Sequence, residues 1–178
     1  MERSMHEVRN ANELVTLLRS SYQTSLSGVI GIDGGDGVGK TCLARTLQAS
    51  TGGRVVSLDE FIIKNELGSY IPHLKKSELL EDLMVQVRPL IIEGVCLRAA
   101  LAAVSVQAHT MIYVKQVLPY PPNEWYWHNE KIYDPERNIE ELIRDLSPIS
   151  SLKEEIIRYH EVFRPSRLAD IAYLQFNR

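Results

Sequence analysis

Cysteine is nearly absent from this 178-residue chain, which carries only Cys42 and Cys96. The pair forms no CxxC pattern and has no histidine cluster beside it, so neither a disulfide framework nor a zinc ligand set is encoded. Both read as small core residues of a protein in a reducing compartment. An excess of charge of either sign is lacking too. Twenty Lys and Arg stand against 23 Asp and Glu, a formal charge of -3, which leaves no global attraction for nucleic acid or an anionic membrane. No apolar run approaches the ~20 residues that cross a bilayer, and the opening from Met1 to Asn12 is mixed and charged with no apolar signal core. Repeats and low-complexity tracts are also missing. The expectation is a single cytoplasmic domain over residues 1–178 whose partner is a small molecule, not nucleic acid or membrane, with the oligomeric state open.

Glycine, by contrast, is concentrated. The octet Gly34, Gly35, Asp36, Gly37, Val38, Gly39, Lys40, Thr41 fits the phosphate-binding pattern GxxxxGK[ST] at every fixed position. Glycines let successive backbone N–H groups turn inward around a polyphosphate, Lys40 can reach the outer phosphates, and the Thr41 hydroxyl can ligate Mg2+. The flanks agree, because Gly28 to Ile32 reads as a buried strand and Thr41 to Gln48, including Cys42, as a helix. A helix N-terminus there adds its positive dipole end to a bound phosphate. Asp36 is expected to point outward, since an acid repels a polyphosphate.

Around this loop the pattern alternates strand and helix. Before it, Ala11, Leu14, Val15, Leu18 and Tyr22 recur at helical spacing over residues 10–23, with Asn10 and Glu13 as a capping box. After it, apolar runs predict strands at Arg54–Leu58, Leu90–Ile92, Met111–Val114 and Ala169–Phe176. Helices are predicted from Ser77, with a stripe of Leu79, Leu80, Leu83, Met84 and Val87, over Cys96 to Val104, from Asn138, and from Ser151 with Glu154 as its capping partner. The expected fold is an α/β three-layer sandwich around a five-stranded parallel sheet, the architecture of a P-loop nucleotide-binding protein.

Two acids fall at the carboxyl ends of predicted strands, the edge at which such sheets bind ligands. Asp59 can take the proton of an acceptor hydroxyl in phosphoryl transfer, or cap the turn that follows it. Glu93, directly after Leu90 to Ile92, suits a share in Mg2+ binding, partly through water, or a salt bridge at the sheet edge.

Together, Gly31 to Thr41, Ser57 to Phe61, Ile91 to Val95, Arg144 with Asp145, His160 to Phe163 and Pro165 to Ile171 resemble the uridine kinase family, within the wider group of pantothenate kinase and phosphoribulokinase. The markers recur in family order. The resemblance implies a kinase with ATP as co-substrate, Lys40, Asp59 and Arg144 as catalytic groups, Thr41 and Glu93 around Mg2+, and a lid over residues 119–150 that closes above the phosphates. Arg144 would stabilise charge on the transferring group, or pair with Glu140 or Glu141 on its helix. Where family lids carry further arginines, this chain reads Leu146 to Ser150.

Acceptor contacts are open to Tyr70 and His73, to Arg158, Arg164 and Arg167, and, for an anionic acceptor, to Lys64, Lys75 or Lys76. The aromatic group Trp125, Tyr126, Trp127 and His128 can stack on a base or pack the lid. Two other functions share the loop: a nucleotide-dependent regulatory ATPase or switch, and a thymidylate kinase-like enzyme, whose loop Gly34 to Gly37 also resembles. The Asp-Arg-aromatic motif of the latter family is missing.

Overall fold

A computed structural model describes residues 5–63, 69–120 and 124–176. The chain enters at an edge strand, β1 (His6–Val8), and continues into α1 (Ala11–Ser21), the single turn α2 (Gln23–Leu26) and β2 (Val29–Gly34). Then follow α3 (Lys40–Thr51), β3 (Arg54–Ser57), α4 (Lys76–Leu83), β4 (Leu90–Glu93), α5 (Leu97–Ala103) and the long β5 (Thr110–Tyr120). The last third holds β6 (Glu124–Trp127), α6 (Glu130–Tyr133), α7 (Ile139–Leu146), α8 (Ser151–Phe163), α9 (Pro165–Leu168) and β7 (Ile171–Phe176).

Strand order across the sheet is β1-β7-β5-β2-β4-β3, all parallel, with β6 antiparallel on β5. From β2 the chain crosses to β3, returns to β4 in between, and then passes to β5 on the other side. The order therefore reverses at β2, which opens a crevice at its carboxyl end. Register aligns that edge: Ile32 and Ser57 both lie opposite Glu93, and Asp33 lies opposite Tyr113.

Alternation along the strands builds two cores. Ile30 and Ile32 of β2, Ile91 of β4 and Ile112 and Val114 of β5 join Leu14 and Leu18 of α1 and Leu43, Ala44 and Leu47 of α3. Val29, Leu90, Ile92 and Met111 join Leu97, Ile156 and other residues of α4, α5, α7 and α8 on the opposite face. A strand covered on both faces carries no polar side, which is why β2 and β4 are buried at every position.

All five expected parallel strands are present, but the sheet has seven. β1 buries only Val8 of its three residues, too short a pattern to register as a strand. β5 runs on past Val114 through Lys115 and Gln116, where the apolar run ends but pairing with β7 and then β6 continues. Helix starts also differ. α4 begins before Ser77, and Leu79 and Leu83 alone of its stripe are buried, while Met84 is 64% exposed. Ser150, not Ser151, caps α8, accepting from the Lys153 N–H at 3.2 Å. Cys96 is buried as expected, but Cys42 is exposed on the outer side of α3, whose inner side is taken by Leu43 and Leu47.

Candidate functional site

The glycine-rich loop joins the end of β2 to the start of α3. Gly37 and Gly39 hold φ of +70° and +92°, a left-handed conformation that side chains with a Cβ rarely adopt. Gly39 stands at the N-cap of α3, so the turn and the helix start share one residue. Gly35 lies under Tyr133 of α6, where an added Cβ would come within 2.7 Å of the ring. Lys40 is buried, and its Nζ donates to the Gly35 carbonyl at 2.6 Å, tying the two ends of the loop together. Burial pushes the Lys40 ammonium below its ordinary value, while Asp33 and Glu93 nearby act in the other direction.

Two further strands and the turn that follows one of them converge on that loop. Glu93, 3% exposed at the end of β4, accepts at Oε1 from the Thr41 hydroxyl (3.1 Å) and the Ser57 hydroxyl (2.8 Å). Parallel register sets the Ser57 contact, because β3 and β4 bring these two residues side by side. Beyond β3 the chain makes a 3-10 turn over Leu58–Phe61 that buries Leu58 and Phe61 and turns Asp59 outward. Asp59, Glu93, Lys40 and Thr41 line one cavity of about 410 Å³ together with Gly37 and Gly39. Asp36 is exposed as expected, at the margin of the same cavity.

Tyr70 belongs to this group as well. Its hydroxyl donates to Asp59 Oδ1 at 2.5 Å, and it lines the cavity. The other acceptor candidates are not brought here. His73 is half-buried in the 3-10 turn Ile71–His73, where its carbonyl accepts from Ile63. Arg158 pairs with Glu140 (2.6 Å) and Glu154 (2.9 Å). Arg164 and Arg167 border a separate cavity of about 210 Å³ over Tyr133 and His160, and Arg167 pairs with Asp134. Arg144, 75% exposed on α7, is 3.9 Å from Asp145 and is not among the residues lining the loop cavity. Lys75 pairs with Glu78 at 3.0 Å, Lys76 is exposed, and Lys64 lies outside the described residues. Of the aromatic group, Trp125 packs edge-on against Phe176 and Trp127 lies against Tyr113 and under the Lys115 ammonium.

Beneath the loop is a polar network without an expected role. Asp33, 1% exposed, accepts from the Gly34 N–H at 2.7 Å and from the Tyr159 hydroxyl, which itself accepts from the Arg98 N–H at 3.1 Å. Burial drives the Asp33 carboxyl up to about 6 against the opposing pull of its hydrogen bonds and Lys40. Next to Tyr159, His160 is pushed down to about 4, again by burial. Its Nδ1 therefore carries the proton donated to the Ile156 carbonyl (2.7 Å), and its Nε2 accepts from the Tyr113 hydroxyl (2.7 Å). The ring stacks on Tyr133 at 4.2 Å, and so reaches the underside of the loop. An acid at the end of an otherwise apolar strand was the available signal for Asp33; its partner is 126 residues away and had none.

The arrangement offers backbone N–H groups and a cation for a polyphosphate, oxygen ligands for a hard divalent metal, and a carboxylate on the same cavity. Among the described residues no cluster of three or more His, Cys, Asp or Glu forms a metal site of its own. Comparison with known proteins finds no matching family model and no matching curated protein.

Proposed function

We propose that this chain is a P-loop phosphotransferase that moves the γ-phosphate of ATP to a hydroxyl of a small molecule, a nucleoside first among the candidates. The observation that carries this reading is the shared cavity. Asp59 and Glu93 line it with the loop residues Gly37, Gly39, Lys40 and Thr41, so an exposed carboxylate, with one oxygen held by the Tyr70 hydroxyl, shares the cavity of the glycine-rich loop. A switch needs the cage but not that carboxylate. The uridine kinase-like markers and the three-layer P-loop architecture they imply support the same reading, as does a strand order that reverses at β2.

In this mechanism the loop N–H groups and Lys40 hold the β- and γ-phosphates, and the dipole of α3 adds to the field. Thr41 and Glu93, whose hydroxyl and carboxylate oxygens meet at 3.1 Å, would hold Mg2+, a hard cation suited to one or two protein oxygens. Bound there, the metal would neutralise charge on the phosphates. Asp59 orients an acceptor hydroxyl and takes its proton as the bond to the phosphorus forms. Arg144, on an exposed face of α7, would join only through lid movement over residues 119–150. No helix of the described residues is long and apolar enough to cross a membrane, and a cytoplasmic location is part of the proposal.

A regulatory ATPase is the second reading, favoured by the absence of Arg144 from the residues that line the cavity. Phosphorus NMR with Mg-ATP and a panel of nucleosides, thymidylate, pantothenate and sugars separates the two. Transfer yields a new phosphate ester resonance, lost in Asp59→Asn while ATP still binds. Inorganic phosphate as the only product across the panel would reject the phosphotransferase.

A further inference from the structure

Helix α8 borders two cavities. Leu152 lines that of the glycine-rich loop, and Glu155 accepts from the Tyr70 N–H at 2.5 Å. Farther along the helix, His160 and Glu161 line the separate cavity of about 210 Å³. One ring, Tyr133, stands between that cavity and the loop. It lies in the cavity wall, stacks on His160 at 4.2 Å and meets Gly35, where an added Cβ would come within 2.7 Å of the ring.

Three guanidinium groups line the same cavity, those of Arg137, Arg164 and Arg167. Two are already held in place. Arg137 gives Nη1 to Asp145 at 2.8 Å, and Arg167 gives Nη2 to Asp134. Each ion pair uses one nitrogen, so the rest of a planar five-donor fork is left over at a fixed position. Arg164 is exposed and makes no ion pair among the described residues. Its backbone caps α8 at φ +44° and ψ +48°, the left-handed conformation that glycine adopts without strain. Capping alone would be served better by glycine.

The wall also holds Ser166, 3% exposed, whose hydroxyl makes no hydrogen bond among the described residues. A buried hydroxyl without a partner costs free energy. His160 supplies none, because its ring nitrogens are taken by the Ile156 carbonyl and the Tyr113 hydroxyl. Three guanidinium groups against the carboxylates of Asp134 and Glu161 leave the lining with a net positive charge. Lys153 adds to it from the Tyr133 hydroxyl, to which its ammonium donates at 3.0 Å.

We infer that this cavity is a second oxyanion site, which takes a phosphate group between the guanidinium groups of Arg137, Arg164 and Arg167 and the Ser166 hydroxyl. The volume sets the size of the ligand. At about 210 Å³ it falls below the ~300–1,000 Å³ of sites that enclose a drug-sized molecule, and so admits a free phosphate ion or the phosphoryl end of a larger compound. Phosphate oxygens suit the forked donors of arginine and the single donor of a serine. The site goes beyond the phosphotransferase reading and does not depend on it, since the two cavities share no lining residue.

The test titrates inorganic phosphate into the full chain and follows the ring resonances of His160, a wall residue, by NMR, with calorimetry for the affinity. Phosphate is expected to shift those resonances with a Kd below about 1 mM. Arg164→Gly is expected to weaken binding at least about tenfold and Ser166→Ala about threefold. The thermal midpoint of Arg164→Gly should equal or exceed that of wild type, because glycine relieves the left-handed strain. Glu161→Gln removes a repelling charge and should tighten binding about threefold. Lys40→Met strips the glycine-rich loop of its cation, and the affinity reported by His160 should stay within about twofold of wild type. A parallel titration with glycerol phosphate assigns the source: tighter binding of the ester points to a larger phosphorylated compound, tighter binding of the free ion to phosphate itself. The site is overturned by His160 resonances that do not move, by an affinity unchanged in both Arg164→Gly and Ser166→Ala, or by binding that disappears with Lys40→Met and survives Arg164→Gly. A nucleoside panel without phosphate transfer would reject the proposed function and leave this site standing; loss of the His160 shift alone does the reverse.

Discussion

Glu93 carries two hydroxyl hydrogen bonds on one oxygen while almost fully buried, an arrangement that orients the Thr41 hydroxyl toward the end of β4. Replacing it with glutamine keeps the shape and removes the charge. Metal-linked binding should suffer most: Glu93→Gln is expected to weaken Mg2+ affinity of the nucleotide complex about 10–100-fold, while ATP binding without metal changes little. Titrating Mg2+ against the nucleotide complex checks this, and equal Mg2+ affinity in the two proteins would remove Glu93 from the metal site. Glu93 and the loop were legible in the sequence because each is announced by its immediate neighbours, an apolar strand before and a glycine or helix after. Asp59 was legible for the same reason. Ser57, Tyr159 and Glu155 were not, since each acts on a residue that only the strand register or the packing of α8 brings near.

At the scale of elements, α1 separates what local chemistry contributes from what burial contributes. Asn10 caps it, accepting from the Glu13 N–H at 3.0 Å, and Glu13 returns to the Asn10 amide at 2.7 Å and the Arg9 N–H at 2.8 Å. Leu14 and Leu18 on its inner face are fully buried against the sheet. Asn10→Ala is expected to cost about 1 kcal/mol, and Leu18→Ala about 2–5 kcal/mol through the cavity it leaves. Urea unfolding of both variants gives the comparison; a cap loss equal to the core loss would mean that α1 is held by its own end, not by the sheet. This helix was readable because cap and stripe agree. α4 was misread because they do not: Ser77 resembles a cap, yet Lys75 occupies that position, and most of the apparent stripe faces outward. β6 lay in a stretch rich in proline and aromatics, and only its partner β5 makes it a strand.

Across the whole molecule, α8 joins the underside of the glycine-rich loop, the central strands and the Tyr70 segment, and two buried groups at this junction titrate in opposite directions. Asp33, tied to Tyr159, is raised from its ordinary 3.8 to about 6. A carboxyl raised by folding favours the folded state fully below its unfolded value, and that contribution is lost as pH rises through about 6. His160 is lowered from 6.5 to about 4, so its contribution is complete above pH 6.5 and lost as pH falls through 4. Each is worth about 3 kcal/mol at roughly 1.4 kcal/mol per pH unit. Over pH 4 to 6.5 they nearly cancel, and removing one should expose the other. Relative to wild type, His160→Gln is expected to lose stability by about 3 kcal/mol as pH rises across that window. Asp33→Asn should gain about as much over the same interval. Denaturant unfolding at half-unit pH steps measures both differences. Parallel profiles for the three proteins would mean that neither group titrates as its burial beneath the glycine-rich loop dictates.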